Sequence, residues 1–168
     1  MGHPSRRPGV GVFFHSLFML LAGAWQAKTR AEEPTKDVLS EEALNKMLGA
    51  LGDLRAKNLP LNVGSGSLDS EIANLKKQPN VERTIKKRGL SLQEFVLTYK
   101  ATAQIRQADK DRDNWQRILQ DPNATPQAKL EATQKLGDSL KNNLFTREQM
   151  ELVRRRMPDL ESLIPLPK

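Results

Sequence analysis

Three short runs of cationic side chains are the residues of this chain best suited to binding chemistry. Their ammonium and guanidinium groups suit the recognition of anionic lipid, nucleic acid or a polyanionic cell-wall polymer. No aromatic residue is interleaved with them, so the stacking platform that bases require is missing and nucleic acid is a disfavoured partner. The runs are Lys76 and Lys77; Lys86, Lys87 and Arg88; and Arg154, Arg155 and Arg156.

Each basic run also has a purely structural interpretation. All three stand near the carboxyl end of a predicted helix, where a cation stabilises the exposed carbonyl groups by about 0.3–1 kcal/mol. Two interpretations therefore stay open at this point: a functional basic surface, or ordinary helix ends. The partner that the first implies is a protein or an anionic component of the cell envelope.

The chain lacks the residues of the commonest catalytic and metal sites. It has no cysteine, and its two histidines, His3 and His15, both lie within the first 24 residues. If that segment is removed, Ser-His-Asp and Cys-His catalysis are excluded, and so are metal sites built on imidazole or thiolate. We predict a protein that is not an enzyme and carries no cofactor or metal.

Residues 109–114 resemble the beginning of a calcium-binding loop. Asp109, Asp111 and Asp113 stand at the first, third and fifth positions of the pattern. The sixth position, which is normally glycine, is Asn114, and the twelfth, which is normally a bidentate glutamate, is Gln120. We interpret these acids as solvated helix surface and not as a calcium site.

The first 24 residues have the pattern of a secretory signal peptide. Arg6 and Arg7 precede an uncharged, mostly apolar stretch over 10–24, which ends in the small residues Ala22, Gly23 and Ala24. A membrane anchor is the alternative, but the stretch is about 15 residues long and a spanning helix needs roughly 20. We predict cleavage and export to the periplasm or the exterior. Cleavage would lower the net charge from +7 to +5, and no transmembrane segment would follow.

The rest of the chain predicts an all-α fold. Three places carry an apolar residue, then Ser40, Ser91 or Thr146, and then another apolar residue four positions later. This pattern is typical of a capped helix start with a hydrophobic staple, and Glu94 and Gln149 complete capping boxes at the second and third starts. No segment alternates with period two for long enough to indicate a strand.

Apolar spacing places a small bundle of five or six helices in a single domain over 39–168. Residues 25–38 are polar and form a flexible lead-in, and the last residues form a short extended tail. Ala128, Ala132, Leu136, Leu140 and Leu144 step by four along one predicted helix face. The predicted helices cover 41–57, 69–77, 80–88, 92 to about 119, a segment opened by Thr125 and Pro126, and a last one that stops near Pro158.

The junction over 80–97 resembles a pattern of small exported bacterial proteins of unknown role. In that pattern a short basic helix is followed by Gly89, Leu90 and Ser91, and then by Glu94, Phe95 and Val96, which open a long helix. The resemblance covers about 80 residues. It implies an exported helical protein and no particular activity.

A weaker resemblance concerns the start of the last predicted helix. Phe145, Thr146 and Gln149 are similar to the Leu-Thr-x-x-Gln motif of cationic helical periplasmic chaperones, with Phe145 in place of the leucine and one copy instead of two. A plain capping box explains the same residues. We therefore expect a non-enzymatic helical interaction protein of the periplasm or exterior. The alternative is a cationic chaperone-like protein that holds unfolded clients.

Overall fold

The computed structural model describes residues 39–64 and 66–164, and within these ranges the chain is helical and has no strand. The all-α prediction is confirmed. The predicted signal peptide, the lead-in and residues 165–168 of the predicted tail lie outside the described residues. The helices are α1 (Glu41–Ala56), α2 (Leu68–Lys76), α3 (Pro79–Lys87), α4 (Leu92–Gln120), α5 (Pro126–Lys141), α6 (Arg147–Arg155) and α7 (Met157–Leu163).

The three predicted helix starts are capped as expected. The hydroxyl oxygen of Ser40 accepts a hydrogen bond of 3.1 Å from the third residue after it. Ser91 and Glu94 close a capping box through bonds of 2.8 and 3.1 Å. Thr146 and Gln149 close another through bonds of 3.1 and 3.2 Å. These caps satisfy amide groups that a helix start leaves without partners, which fixes where α1, α4 and α6 begin.

The core lies between α1, the first half of α4 and the short helices that pack around them. α1 contacts α3, α4 and α7, and α4 contacts α1, α2, α3 and α6. Phe95 is fully buried in this core, and its ring centroid lies 6.3 Å from that of Tyr99. The other large, fully buried side chains are aliphatic: Leu44, Met47, Leu54, Leu75, Val81, Ile85, Val96, Ile105, Val153, Leu160 and Ile164.

The end of the bundle differs from the prediction at Pro158. We expected the last helix to stop there, but α6 already ends at Arg155 and a new helix, α7, begins at Met157. Pro158 lies in the first turn of α7, where a residue without an amide hydrogen breaks no intrahelical bond. The described residues therefore form seven helices instead of the predicted five or six.

Two arginine side chains hold α7 against the bundle. Arg106 of α4 is buried and donates a hydrogen bond of 2.6 Å to the carbonyl oxygen of Ile164. Arg55 of α1 donates one of 2.7 Å to the carbonyl oxygen of Ser162. Burial lowers the pKa of Arg106 from its ordinary value, since a charge is less favourable away from water. These bonds satisfy carbonyl groups that the end of a helix would otherwise leave unpaired.

The predicted apolar face of α5 is only partly buried. Ala132 is its one buried residue among those described, whereas Leu140 is 62% exposed and Leu144, just beyond the helix, is 45% exposed. A step of four residues turns an α-helix through 400°, so a row of such steps drifts by about 40° at each one. The row therefore rotates away from α4, which is the main packing partner of α5.

The junction between α3 and α4 has the predicted geometry. Gly89 has a φ of +75°, and its amide donates to the carbonyl oxygen of Lys86 at 2.9 Å. Leu90, just before the cap of α4, is buried together with Phe95 in the hydrophobic core. This short segment ends one helix and orients the next.

Gly89→Ala and Ser91→Ala should each destabilise this junction. The alanine at 89 meets no steric obstacle nearer than 3.8 Å, so its cost comes from the left-handed backbone and should be about 1–2 kcal/mol. Loss of the Ser91 cap should cost about 0.5–2 kcal/mol. Urea denaturation of both variants measures these losses. Unchanged midpoints in both would show that the junction is not capped in this way.

Candidate anion-binding site

Half of the eight predicted basic residues are engaged in ion pairs within the bundle. Lys86 lies 2.7 Å from a carboxylate oxygen of Glu82, one turn earlier in α3. Arg88 donates two hydrogen bonds of 2.7 Å to Asp53 of α1. Each of these pairs satisfies a cation and an acid at the surface, which favours the structural interpretation for Lys86 and Arg88.

Two of the three basic residues at the end of α6 contact other helices. Arg154 donates bonds of 2.8 and 2.6 Å to Asp109 of α4. Arg156 lies 3.4 Å from Asp159 and also donates to the side-chain oxygen of Asn45 on α1. The predicted run 154–156 is therefore mainly a set of links between helices. Within the described residues, the predicted cations that form no ion pair are Lys76, Lys77, Lys87 and Arg155.

The acids that resembled a calcium loop lie along α4. Asp109 bridges Arg154 of α6 and Arg112, which lies 3.5 Å away in α4. Asp111 accepts a hydrogen bond of 2.8 Å from the amide of Gln107. Asp109 is thus part of a contact between helices and not plain solvated surface. The described residues contain no group of three or more potential metal ligands.

A groove between the end of α1 and one face of α3 brings three cations together. Its volume is about 490 Å³. Three of its lining side chains carry positive charge, two are neutral and polar, one is aliphatic, and none is acidic. The lining residues are Lys57, Leu59, Asn80, Arg83, Thr84 and Lys87.

The α3 wall of the groove follows directly from helical spacing. Asn80, Arg83, Thr84 and Lys87 occupy positions i, i+3, i+4 and i+7, which share one face of a helix. The neighbouring lysine of the predicted run, Lys86, pairs with Glu82 instead. Consecutive residues point in different directions around a helix, so only one member of the run 86–88 lines the groove.

The opposite wall is set by the way α1 ends. Asn58 has a φ of +51°, and the amide of Leu59 donates to the carbonyl oxygen of Leu54 at 2.9 Å. The amide of Asn58 donates to Arg55 at 3.0 Å, so the two bonds form a Schellman motif with asparagine in the left-handed position. This turn leaves Lys57 and Leu59 beside α3.

The Lys57 ammonium is held in place at the groove. It donates a hydrogen bond of 3.1 Å to the hydroxyl oxygen of Thr84, which in turn donates one of 2.8 Å to the carbonyl oxygen of Asn80. Thr84 is only 3% exposed, so this chain of bonds is anchored in the protein interior. An ammonium group carries three donors, and two of them remain for a ligand.

Asp53, an acid on which two of these cations act, is already hydrogen-bonded to Arg88. The hydrogen bonds from Arg88 hold the pKa of Asp53 below its ordinary value, and the positive charges of Lys57 and Lys87 contribute in the same direction. Lys57, Arg83 and Lys87 themselves form no ion pair with any acid in the described part of the chain. The lining of the groove therefore carries three positive charges and no acid.

Of the three groove cations, the sequence prediction included only Lys87. Arg83 and Lys57 were missed because they do not belong to a run of adjacent cations. The spacing of Arg83 and Lys87, four residues apart, is a signal that could have identified the α3 wall. Nothing local in the sequence places Lys57 beside them, since that depends on the packing of α1 against α3.

Comparison with known proteins adds no relative from which a role could be transferred: no family model, curated protein or solved structure matches the chain. In the described ranges, none of the helices combines the length and the apolar character that crossing a bilayer requires. The chemistry of the groove is therefore the basis for a functional assignment.

Proposed function

We propose that this chain is an exported, non-enzymatic interaction protein that binds an anionic component of the cell envelope through the groove between α1 and α3. The observation that carries the proposal is the convergence of Lys57, Arg83 and Lys87 on a concave site without an acid. The basic and apolar pattern of residues 1–24 supports export. The Thr84 hydroxyl, the one hydroxyl among the described lining residues, donates its proton to the carbonyl oxygen of Asn80 and accepts from Lys57, an arrangement that supports binding rather than nucleophilic attack.

Further unpaired cations on the neighbouring helix would extend the electrostatic field of the groove. Lys76 and Lys77 lie at the end of α2, which packs against α3, and both are exposed and form no ion pair with a described residue. A concave site lined by charges of one sign raises the local concentration of oppositely charged partners. The whole chain carries a net charge of +7, which favours the same class of partner.

Removing the groove cations should strongly weaken binding to anionic vesicles. We would measure sedimentation of the chain with phosphatidylcholine vesicles that contain phosphatidylglycerol and phosphatidic acid. Each cation near such a surface contributes about 1 kcal/mol, so the triple variant K57Q/R83Q/K87Q should bind about 100-fold more weakly. Binding of the unchanged chain should also fall as salt is added, because salt screens the attraction.

A matched variant removes the same charge elsewhere. Lys129, Lys135 and Lys141 of α5 form no ion pair with a described residue, and K129Q/K135Q/K141Q should weaken binding by about 3-fold at most, since these charges lie away from the groove. All the variants share residues 1–38, so their comparison isolates the effect of the groove. Equal losses in both triple variants, or no preference for anionic vesicles, would contradict the proposal.

A second candidate function is a cationic chaperone-like protein that holds unfolded clients. The observation that favours it is apolar side chains exposed on and beside α5: Leu130, Leu140 and Leu144. Such side chains can hold the apolar segments of an unfolded chain. The test is whether near-stoichiometric amounts of the protein suppress the aggregation of an unrelated client. If L140S/L144S loses this suppression and K57Q/R83Q/K87Q keeps it, the result favours the chaperone-like function over the first.

A further inference from the structure

We propose that the groove between α1 and α3 is a site for a phosphomonoester group. The inference rests on the proposed function for the location of the site, and it names the chemical class of the ligand. It depends on three features: the number of cations, their arrangement around Thr84, and the size of the groove relative to a phosphate.

The number of cations matches a phosphomonoester better than other common anions. Such a group carries a charge of about −1.5 to −2 at pH 7 and has three terminal oxygens that accept hydrogen bonds. Lys57, Arg83 and Lys87 supply three positive charges, and their donors are enough to reach all three oxygens. A carboxylate or a phosphodiester carries a single charge and two such oxygens, so it would leave two of the three positive charges uncompensated, whereas a phosphomonoester would leave about one.

The three cations also lie around one fixed group, the buried hydroxyl of Thr84. Lys57 is held to the buried hydroxyl of Thr84, and Thr84 lies in α3 between Arg83 and Lys87. Arg83 and Lys87 are one helical turn apart, so their side chains start about 5–6 Å from each other on the same face. The guanidinium fork of arginine suits two phosphate oxygens, while each lysine acts as a point charge on one.

The groove is larger than the anionic group alone. Its volume of about 490 Å³ lies within the range of sites that hold small organic molecules. Leu59 is partly buried and offers an apolar wall, and Asn80 is exposed and offers an amide that donates and accepts. The organic part of a phosphate ester would lie over these two side chains, which makes an ester a better fit than inorganic phosphate.

Calorimetric titration of the full chain with glycerol 3-phosphate, inorganic phosphate and succinate tests this assignment. We expect glycerol 3-phosphate to bind most tightly and succinate most weakly, because succinate is a dianion without a phosphoryl group. Arg83→Gln and Lys87→Gln should each weaken the binding of glycerol 3-phosphate by about 10-fold, since each removes a charge-assisted hydrogen bond. Both side chains are exposed and form no ion pair with a described residue, so their loss leaves the fold intact.

Lys135→Gln is the matched control for Lys87→Gln. It removes one lysine charge from α5, at a residue that is exposed and forms no ion pair with a described residue, and it should leave the affinity unchanged. Equal effects of these two substitutions would overturn the assignment, because the groove would then contribute only net charge. Equal affinity for succinate and glycerol 3-phosphate would overturn it as well.

Vesicles distinguish the two sources of a phosphomonoester. Phosphatidic acid presents the group on a membrane, whereas phosphatidylglycerol presents only a phosphodiester. If the chain prefers phosphatidic acid vesicles and glycerol 3-phosphate displaces it from them, the site is supported and its ligand is a lipid. If the chain binds glycerol 3-phosphate but not the vesicles, the site is supported with a soluble ester as its ligand, and the envelope role is removed. Equal binding to both vesicle types without competition overturns the phosphomonoester site and leaves the proposed envelope function standing.

Discussion

Phe95→Ala should lower the free energy of unfolding by about 3–5 kcal/mol, the range for truncation of a fully buried aromatic ring. Phe95 is 0% exposed and lies in the first turns of α4, where it contributes to the core shared with α1. Five phenylalanines are present in the whole chain, and the other large, fully buried side chains of the core are Leu, Ile, Val and Met. No other ring in the described core is completely enclosed, so Phe95→Ala removes the largest fully buried side chain of that core.

Urea denaturation of three variants measures this effect. Phe95→Leu keeps much of the apolar volume and should cost less than about 1.5 kcal/mol. Phe145→Ala is the matched control, because Phe145 is only partly buried at the edge of the core and its truncation removes less contact area. If Phe95→Ala cost no more than Phe145→Ala, the centre of the core would lie elsewhere in the bundle.

The parts of the fold that the sequence predicts well are those with local causes. The caps at Ser40, Ser91 and Thr146 join a hydroxyl to an amide three residues later, so the pattern of types is sufficient to find them. The left-handed exit at Gly89 has the same local character, because glycine adopts a positive φ at little cost. The bounds of α1 to α4 consequently differ from the prediction by one residue at most.

The parts that the sequence did not predict depend on packing or on rarer choices of residue. Asn58 takes the left-handed position that glycine usually fills, so the sequence predicts where α1 ends but not the Schellman motif that follows it. The sequence predicts a helix end at Pro158, although proline is equally suited to the first turn of a new helix. The groove was missed for a different reason: Lys57 and Arg83 are 26 positions apart, and only the packing of α1 on α3 brings them together.

The burial of Glu71 is the feature of the fold that residue type predicts least well. Glutamate is seldom buried, so nothing in the sequence singled this residue out of a short polar helix. In the structure it is 3% exposed, and one of its carboxylate oxygens accepts hydrogen bonds of 2.9 and 2.8 Å from the amides of Gly64 and Gly66. Lys100 of α4 lies 3.6 Å from the same oxygen and donates to the carbonyl oxygen of Gly66. One buried carboxylate thus ties the segment before α2 to both α2 and α4.

Glu71→Ala should therefore destabilise the protein by about 3 kcal/mol, a loss typical of removing one partner of a buried ion pair. The alanine leaves the Lys100 ammonium without its acid and two backbone amides without an acceptor, and an unmade bond in a buried site costs more than a made one contributes. Glu71→Gln keeps an oxygen for the two amides and loses only the charge. Its free energy of unfolding should therefore lie between those of the unchanged protein and Glu71→Ala. Glu131→Ala, at an exposed position of α5, should change stability by about 0.5 kcal/mol at most.

Amide hydrogen exchange separates this anchoring role from a general loss of stability. If Glu71 holds the segment, the amides of Gly64 and Gly66 exchange slowly in the unchanged protein and quickly in Glu71→Ala, under conditions where the amides of α1 and α4 stay protected. Such local release is expected because Glu71 supplies the acceptor for both glycine amides, whereas the helices keep their own hydrogen bonds. If exchange in Glu71→Ala accelerates equally in α1, in α4 and at the two glycines, Glu71 supports the whole bundle and not this segment alone. If both glycine amides already exchange rapidly in the unchanged protein, the carboxylate does not hold them.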